Sequence, residues 1–222
     1  RSKAMQSLFQ LADKAARYKT TVLILGDSGT GKELIARGIH YSSDRSEKPL
    51  VPVNCGGIPE NLLESELFGH KKGAFTGADR NNKGLFQEAE GGTIFLGELP
   101  LSLQVKLLRV SQENEIRPVG DSKSMKIDVR IVAATAKDLE EEVRQGTFRE
   151  DLYYRLNVMT LKLPPLNQRT EDIPLLCKRF IEQFNQTLSK SVSGLAPEAM
   201  SRLLEYPWPG NVRELENSIE RA

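Results

Sequence analysis

The spacing of apolar residues changes period repeatedly along this chain, and those changes outline its architecture. Over residues 2–17, Met5, Leu8, Phe9, Leu11, Ala12, Ala15 and Ala16 recur every three or four positions, which predicts an amphipathic helix. Residues 21–25 form a short β-branched and leucine run with no helical period, stopped by Gly26, the pattern of a buried parallel strand. Helical spacing returns over 32–41, a second strand is predicted at 50–54, and a helix follows Pro59 over 60–68. Further strands are predicted at 93–96, 127–133 and 158–163, with helices at 101–112 and 137–145 between them. Strands and helices alternating in this order imply an α/β fold: a parallel sheet with helices on both faces.

The strand pattern stops at Pro164-Pro165. Residues 171–188, 196–205 and 211–222 all read as helices, punctuated by Pro207 and Pro209-Gly210. The boundary is expected within 163–167, giving an α/β core over 1–165 and a smaller α-helical subdomain over 166–222. The chain contains no internal repeat, low-complexity tract or long charge block. Because the pattern ends inside a helix, the chain reads as an excised piece of a longer protein.

Charge and cysteine content narrow the possible roles. The 31 basic and 30 acidic residues nearly cancel, so bulk charge points to neither a nucleic-acid coat nor a membrane surface. Any partner must be recognised locally. Cys55 and Cys177 are far apart and lack metal-ligand spacing, which argues against a disulfide framework or a structural zinc. The sequence has no apolar run long enough to span a bilayer and no signal-peptide order at its start, so a cytoplasmic location and no membrane partner are expected.

The clearest chemistry lies between the first strand and the second helix. Gly26, Asp27, Ser28, Gly29, Thr30, Gly31, Lys32 and Glu33 spell GDSGTGKE, which contains the G-x-x-x-x-G-K phosphate-loop pattern in the strand-to-helix setting its mechanism needs. Glycines let backbone N–H groups curl around phosphates, the helix N-terminus favours negative charge, and a lysine reaches the outer phosphates. A glycine-rich turn without a ligand is the plainer alternative, and the flanking elements argue against it. Glu33 stands where a magnesium-ligating Ser or Thr is usual. Downstream, residues 73–78 spell GAFTGA, a glycine-flanked segment with one aromatic that follows Lys71 and Lys72. Composition alone would make it an ordinary turn with Phe75 packed inward, or a weak site for stacking on DNA.

GDSGTGKE followed by GAFTGA resembles the AAA+ ATPase domain of bacterial sigma-54-dependent transcriptional activators, the NtrC-like enhancer-binding proteins, and the resemblance covers nearly the whole chain. It implies ATP and Mg²⁺ as cofactors, ATP hydrolysis, and remodelling of the sigma-54 RNA polymerase holoenzyme. Glu33 is then a family trait, and Phe75 with Thr76 touch the sigma factor at the tip of a mobile loop. The TFREDLYYRL segment matches the family's arginine-finger stretch, so Arg149 and Arg155 reach a neighbouring subunit's nucleotide within a homo-oligomeric ring of six or seven subunits. WPGNVREL matches the second nucleotide sensor and assigns Arg213 to the phosphates. Asn54 matches the switch asparagine that restrains the catalytic glutamate. Without the resemblance, each arginine reads as solvated surface and Asn54 as a turn cap. DNA binding is expected only through a domain outside this piece.

The family pattern breaks at one place that bears directly on catalysis, with two further departures nearby. The ATPase needs an aspartate and a glutamate at the end of the third strand, to hold magnesium and to polarise water, where this chain reads GGTIFLGELPLSLQ. Aligned without a gap, the pair becomes Gly97-Glu98, which keeps a candidate base in Glu98. Aligned on GELPLSLQ, three residues, Asp-Glu-Ile, are absent between Leu96 and Gly97, and Glu98 becomes a downstream structural residue. Either alignment compromises magnesium coordination. It opens the alternative of an ATP- or ADP-binding regulatory oligomerisation module with impaired or no hydrolysis. The family's Thr-Asn sensor pair is Thr135-Ala136 here, and Ser111 replaces a usual leucine.

Overall fold

The computed structural model describes residues 2–222. Helix α1 (Lys3–Ala16) starts at Ser2, whose hydroxyl accepts from the Met5 N–H. It leads into β1 (Val22–Leu25), α2 (Lys32–Tyr41), β2 (Leu50–Asn54), α3 (Glu60–Phe68) and a single-turn α4 (Leu85–Glu88). Then come β3 (Thr93–Gly97), α5 (Gln104–Glu113), the two-residue strands β4 (Glu115–Ile116) and β5 (Met125–Lys126), β6 (Arg130–Thr135), α6 (Leu139–Arg144), α7 (Glu150–Leu156) and β7 (Met159–Lys162). Three longer helices follow: α8 (Ile173–Leu188), α9 (Pro197–Glu205) and α10 (Asn211–Arg221).

Five strands form one parallel sheet in the order β2-β3-β6-β1-β7. The two-residue periodicity of a strand divides its side chains between opposite faces. Leu23, Ile94, Leu96, Ile131 and Ala133 belong to one buried cluster, closed by Leu63, Leu67, Phe68, Phe86, Leu107 and Leu152 from the helices. Their strand neighbours Val22, Ile24, Phe95, Val132 and Ala134 belong to a second cluster with Met5, Leu8, Ile35 and Ile39. Burial on both faces explains why these strands read as continuous apolar runs. A third cluster, Leu166, Ile173, Cys177, Phe180, Trp208 and Leu215, lies wholly in the helices after residue 165. No helix among the described residues is long and apolar enough to cross a membrane.

Several elements differ from the sequence reading. The strand expected at 127–133 begins at Arg130 and runs to Thr135, because the Ile127 N–H bonds the Asn114 carbonyl and Asp128 is tied to Arg45 and Gly91 instead of joining the sheet. The helix expected at 101–112 opens with a 3₁₀ turn over Leu101–Leu103, and that expected at 137–145 starts later because Asp138 caps it through the N–H groups of Glu140 and Glu141. Helices α4 and α7 and the β4–β5 ribbon were not anticipated. Strand β3 runs unbroken through Leu96 and Gly97, and Gly97 is paired with both Asn54 and Ala134.

Candidate functional site

Strands β1, β6 and β3 lie side by side and deliver their following loops to one edge of the sheet, where ligands bind in open α/β folds. The loop after β1 is shaped by Gly29 (φ 77°) and Gly31 (φ 101°), left-handed conformations that favour glycine. Gly31 supplies no side-chain cap to α2, so the first turn of that helix keeps donors for an anion. The loop closes on itself through Thr30, whose hydroxyl donates to the Asp27 carbonyl at 2.7 Å. Lys32 folds back across it, with Nζ donating to the carbonyls of Gly26 (2.6 Å) and Asp27 (3.1 Å). Burial lowers the Lys32 pKa, Glu98 and Asp27 push it back up, and Arg213 lowers it again. The loop lysine therefore lies within electrostatic reach of both the β3 terminus and α10. Glu33 faces along its own helix, where its Oε1 accepts from Arg37 Nε and Nη2 at 3.0 and 2.7 Å.

At the end of β3, Glu98 has a left-handed backbone (φ 53°) and its N–H donates to the Ala134 carbonyl. Both carboxylate oxygens are engaged by β6 and the residue after it: Thr135 Oγ1 donates to Oε2 and the Ala136 N–H to Oε1, each at 3.0 Å. Asn54 lies beside Gly97 in the sheet, yet its side chain makes no hydrogen bond to Glu98. The pairing implied for the switch asparagine is absent, and Thr135 and Ala136 each bond one oxygen of the carboxylate instead. A cavity of about 150 Å³ opens beside Glu98, lined among others by Pro100, Thr135, Lys137, Glu142 and Phe148.

The donor set does not fit a protein-built magnesium site. Gly97 brings no oxygen ligand, Glu98 is engaged as described, Glu33 pairs with Arg37, and no group of three or more His, Cys, Asp or Glu residues gathers for a metal among the described residues.

Arg149 and Arg155 bracket α7. The Arg149 guanidinium forms a two-pronged pair with Asp151, Nε to Oδ1 at 3.1 Å and Nη2 to Oδ2 at 2.7 Å, and each partner stabilises the other's charge. Arg155 donates through Nε and Nη2 to the Ser111 carbonyl near the end of α5. Neither arginine bonds to the phosphate loop of its own chain. Arg213, by contrast, sits against that loop: Gly29 O accepts from the N–H groups of Val212 (3.0 Å) and Arg213 (3.3 Å). The groove there, about 310 Å³, is lined by Ser28, Gly210, Arg213, Glu214 and Arg221 among others.

The hexapeptide is closed at its base by Gly73 N–H to the Ala78 carbonyl (2.8 Å) and tightened by Ala78 N–H to the Phe75 carbonyl (3.0 Å). Ala78 is buried, whereas Phe75 is 40% exposed, its ring centroid 5.0 Å from that of His70, so the inward-packed alternative does not hold. Thr76 is exposed beside it. The segment rests on the β4–β5 connection through Lys71 N–H to the Val119 carbonyl and the Val119 N–H to the Gly69 carbonyl.

Sequence reasoning missed Asp151, Gln104, whose Oε1 accepts from the Arg149 N–H, and Asn211, which binds the Ser28 carbonyl. Asp151 stands two residues from Arg149 inside a recognised motif and was within reach of a charge-pair reading. The other two act across 45 and 183 residues and left no local signal.

Comparison with known proteins agrees with this geometry. Residues 1–162 match the Sigma-54 interaction domain family and 167–222 the AAA+ ATPase lid domain. The transcriptional regulatory protein ZraR of Escherichia coli is 56% identical over 225 positions, covering all of this chain and 51% of the relative. That alignment is three positions longer than the chain, so at least three of its positions have no residue here. The regulatory protein AtoC of Escherichia coli is 53% identical, with 100% of this chain and 49% of the relative covered. The chain therefore spans about half the length of these relatives. Among solved structures, NtrX from Brucella abortus superposes with a TM-score of 0.93 at 39% identity over 100% of this chain and 50% of that one. Its ADP complex gives 0.92 at 40% identity, over 99% and 49% of the two chains. The phosphate loop, the parallel sheet, the helical lid and these matches together establish that this chain belongs to the sigma-54 interaction domain family of AAA+ ATPases.

Proposed function

We propose that this chain is the ATP-binding and ATP-hydrolysing domain of a sigma-54-dependent transcriptional activator, with residues 1–165 as its core and 166–222 as its lid. The observation that carries the proposal is a phosphate loop whose helix cap is open, with Lys32 folded across it onto the Gly26 and Asp27 carbonyls and the start of α10 bonded to Gly29 through the Arg213 N–H. ATP phosphates lie against the loop backbone and Lys32, and Arg213 approaches from the lid. Glu98 takes the proton of the attacking water as its oxygen bonds to the γ-phosphorus and the bridging oxygen leaves with ADP. Arg149 and Arg155 serve the neighbouring subunit's nucleotide, so a hexameric or heptameric ring is the active form. Exposure of Phe75 and Thr76 on a closed loop suits contact with the sigma-54 RNA polymerase holoenzyme. Mg²⁺ arrives with ATP and finds few protein ligands, the protein works in the cytoplasm, and DNA is read by another domain.

A second reading, an ATP- or ADP-responsive assembly module without productive turnover, is favoured by one observation: β3 ends at Gly97 with no acidic side chain there, and both Glu98 oxygens are engaged. Phosphate release from Mg-ATP by the assembled protein separates the two. Turnover abolished by Glu98→Gln and by Arg149→Ala supports hydrolysis. Absence of turnover in a protein that still binds ADP selects the second reading, and absence of nucleotide binding overturns both.

A further inference from the structure

The lid grips the phosphate loop from behind through three consecutive carbonyls. Ser28 O accepts from Asn211 Nδ2 at 3.0 Å, Gly29 O from the Val212 and Arg213 N–H groups, and Thr30 O from Arg169 Nη2 at 2.9 Å. In a trans peptide the carbonyl of one residue and the N–H of the next point in opposite directions. Fixing the Ser28 and Thr30 carbonyls toward the lid therefore turns the N–H groups of Gly29 and Gly31 away from it. Those two N–H groups make no hydrogen bond among the described residues, while the Thr30 N–H between them leans weakly on the Asp27 carbonyl at 3.4 Å.

Asn211 is the pivot of this arrangement. It is buried, with 1% of its surface exposed, and sits in the left-handed region at φ 55°. Its N–H donates to the Trp208 carbonyl, its Oδ1 accepts from the Leu166 N–H at 2.8 Å, and its Nδ2 donates to Ser28. One carboxamide thus joins the start of the lid, the turn before α10 and the loop. A left-handed backbone at a residue other than glycine persists only where the surroundings enforce it.

We propose that Asn211 is a positioning residue for phosphate binding: by holding the Ser28–Gly29 peptide plane it aims the Gly29 N–H at the phosphates of a nucleoside diphosphate or triphosphate. This inference rests on the nucleotide-binding reading above. Asn211→Asp keeps the shape and an acceptor for Leu166 but faces the Ser28 carbonyl with an oxygen instead of a donor. Asn211→Gly removes the side chain and relieves the left-handed backbone.

The test measures ADP affinity by calorimetry alongside the melting temperature of the unliganded chain. ADP affinity is expected to fall about tenfold in Asn211→Asp, the worth of one hydrogen bond to a charged group, and by a similar factor in Asn211→Gly even where its melting temperature is unchanged. In the wild-type chain the Gly29 amide gains exchange protection with ADP. Affinity within twofold of wild type in either folded variant, or an unprotected Gly29 amide in the ADP complex, overturns the proposal while leaving the nucleotide-binding reading intact. A wild-type chain that does not bind ADP overturns both.

Discussion

The phosphate loop and the end of β3 sit on either side of β6 at one edge of the sheet, and they are built on opposite principles. The loop relies on backbone: left-handed glycines, an uncapped helix start, and carbonyls held from behind. The strand end relies on side chains, and there Gly97 offers none while Glu98 is spoken for by Thr135 and Ala136. Gripping a phosphate and cleaving it are therefore separable in this chain, and the first is more fully equipped than the second.

The largest effect that would sharpen this contrast comes from inserting Asp-Glu-Ile between Leu96 and Gly97. Phosphate release per subunit should rise by about two orders of magnitude or more, since metal and water positioning are together worth several kcal/mol of barrier. ADP affinity should stay within about threefold, and unchanged turnover would break the contrast. Lys32→Ala attacks the other side: ADP affinity should fall about 10- to 100-fold, as for a lost charge-assisted contact, with the unliganded melting temperature nearly constant. Calorimetric titration reads both quantities.

A pair of alanine substitutions probes structure alone. At Gly29 a Cβ would stand 2.2 Å from the Gly210 carbonyl oxygen on a left-handed backbone, so Gly29→Ala should cost about 2–4 kcal/mol and lower the melting temperature by about 5 °C or more. At Gly97 the nearest atom is the Val53 carbonyl oxygen at 3.7 Å, and Gly97→Ala should shift stability by less than about 1 kcal/mol. Equal shifts in a thermal melt would deny that the loop is the tighter of the two regions.

The smallest effect concerns the thiols, one in the cluster on one face of the sheet and one in the cluster of the C-terminal helices. Burial pushes Cys55, just beyond β2, and Cys177, in α8, up to about 11. An unfolded thiol ionises near 9 while the folded one keeps its proton, so this contribution to stability is intact below about pH 9 and lost progressively toward pH 11. Native-state disulfide exchange at pH 8 should be far slower than in denaturant. Rapid labelling of Cys55 alone would mark the strand end as open.

The centre of the sheet was legible in the sequence because β1, β3 and β6 are buried on both faces and so form apolar runs. The same signal failed for α7: Glu150, Asp151, Arg155 and the tyrosines obscure an apolar face carried only by Leu152 and Leu156. Strands β4 and β5 are two residues each, too short to show a period. At the site, the phosphate loop was readable because its conformation is written in glycines. The seat of Glu98 was not, since one of its two donors is a backbone N–H and the other a threonine noted only as half of an altered pair. Nor could sequence show that Asn54, beside Gly97 in the sheet, makes no bond to Glu98, whose oxygens go to Thr135 and Ala136.

The hexapeptide and the β4–β5 connection meet at Gly120, whose φ is 78° and where an added Cβ would lie 2.7 Å from the Cβ of Ala74. Neither position has room to grow while the other stays as it is. Over evolutionary time the two loops must therefore drift together, and among relatives a bulkier residue at the position of Ala74 should be accompanied by a changed connection opposite it. Under the proposed function, selection on Phe75 and Thr76 would then leave its trace in the β4–β5 connection as well.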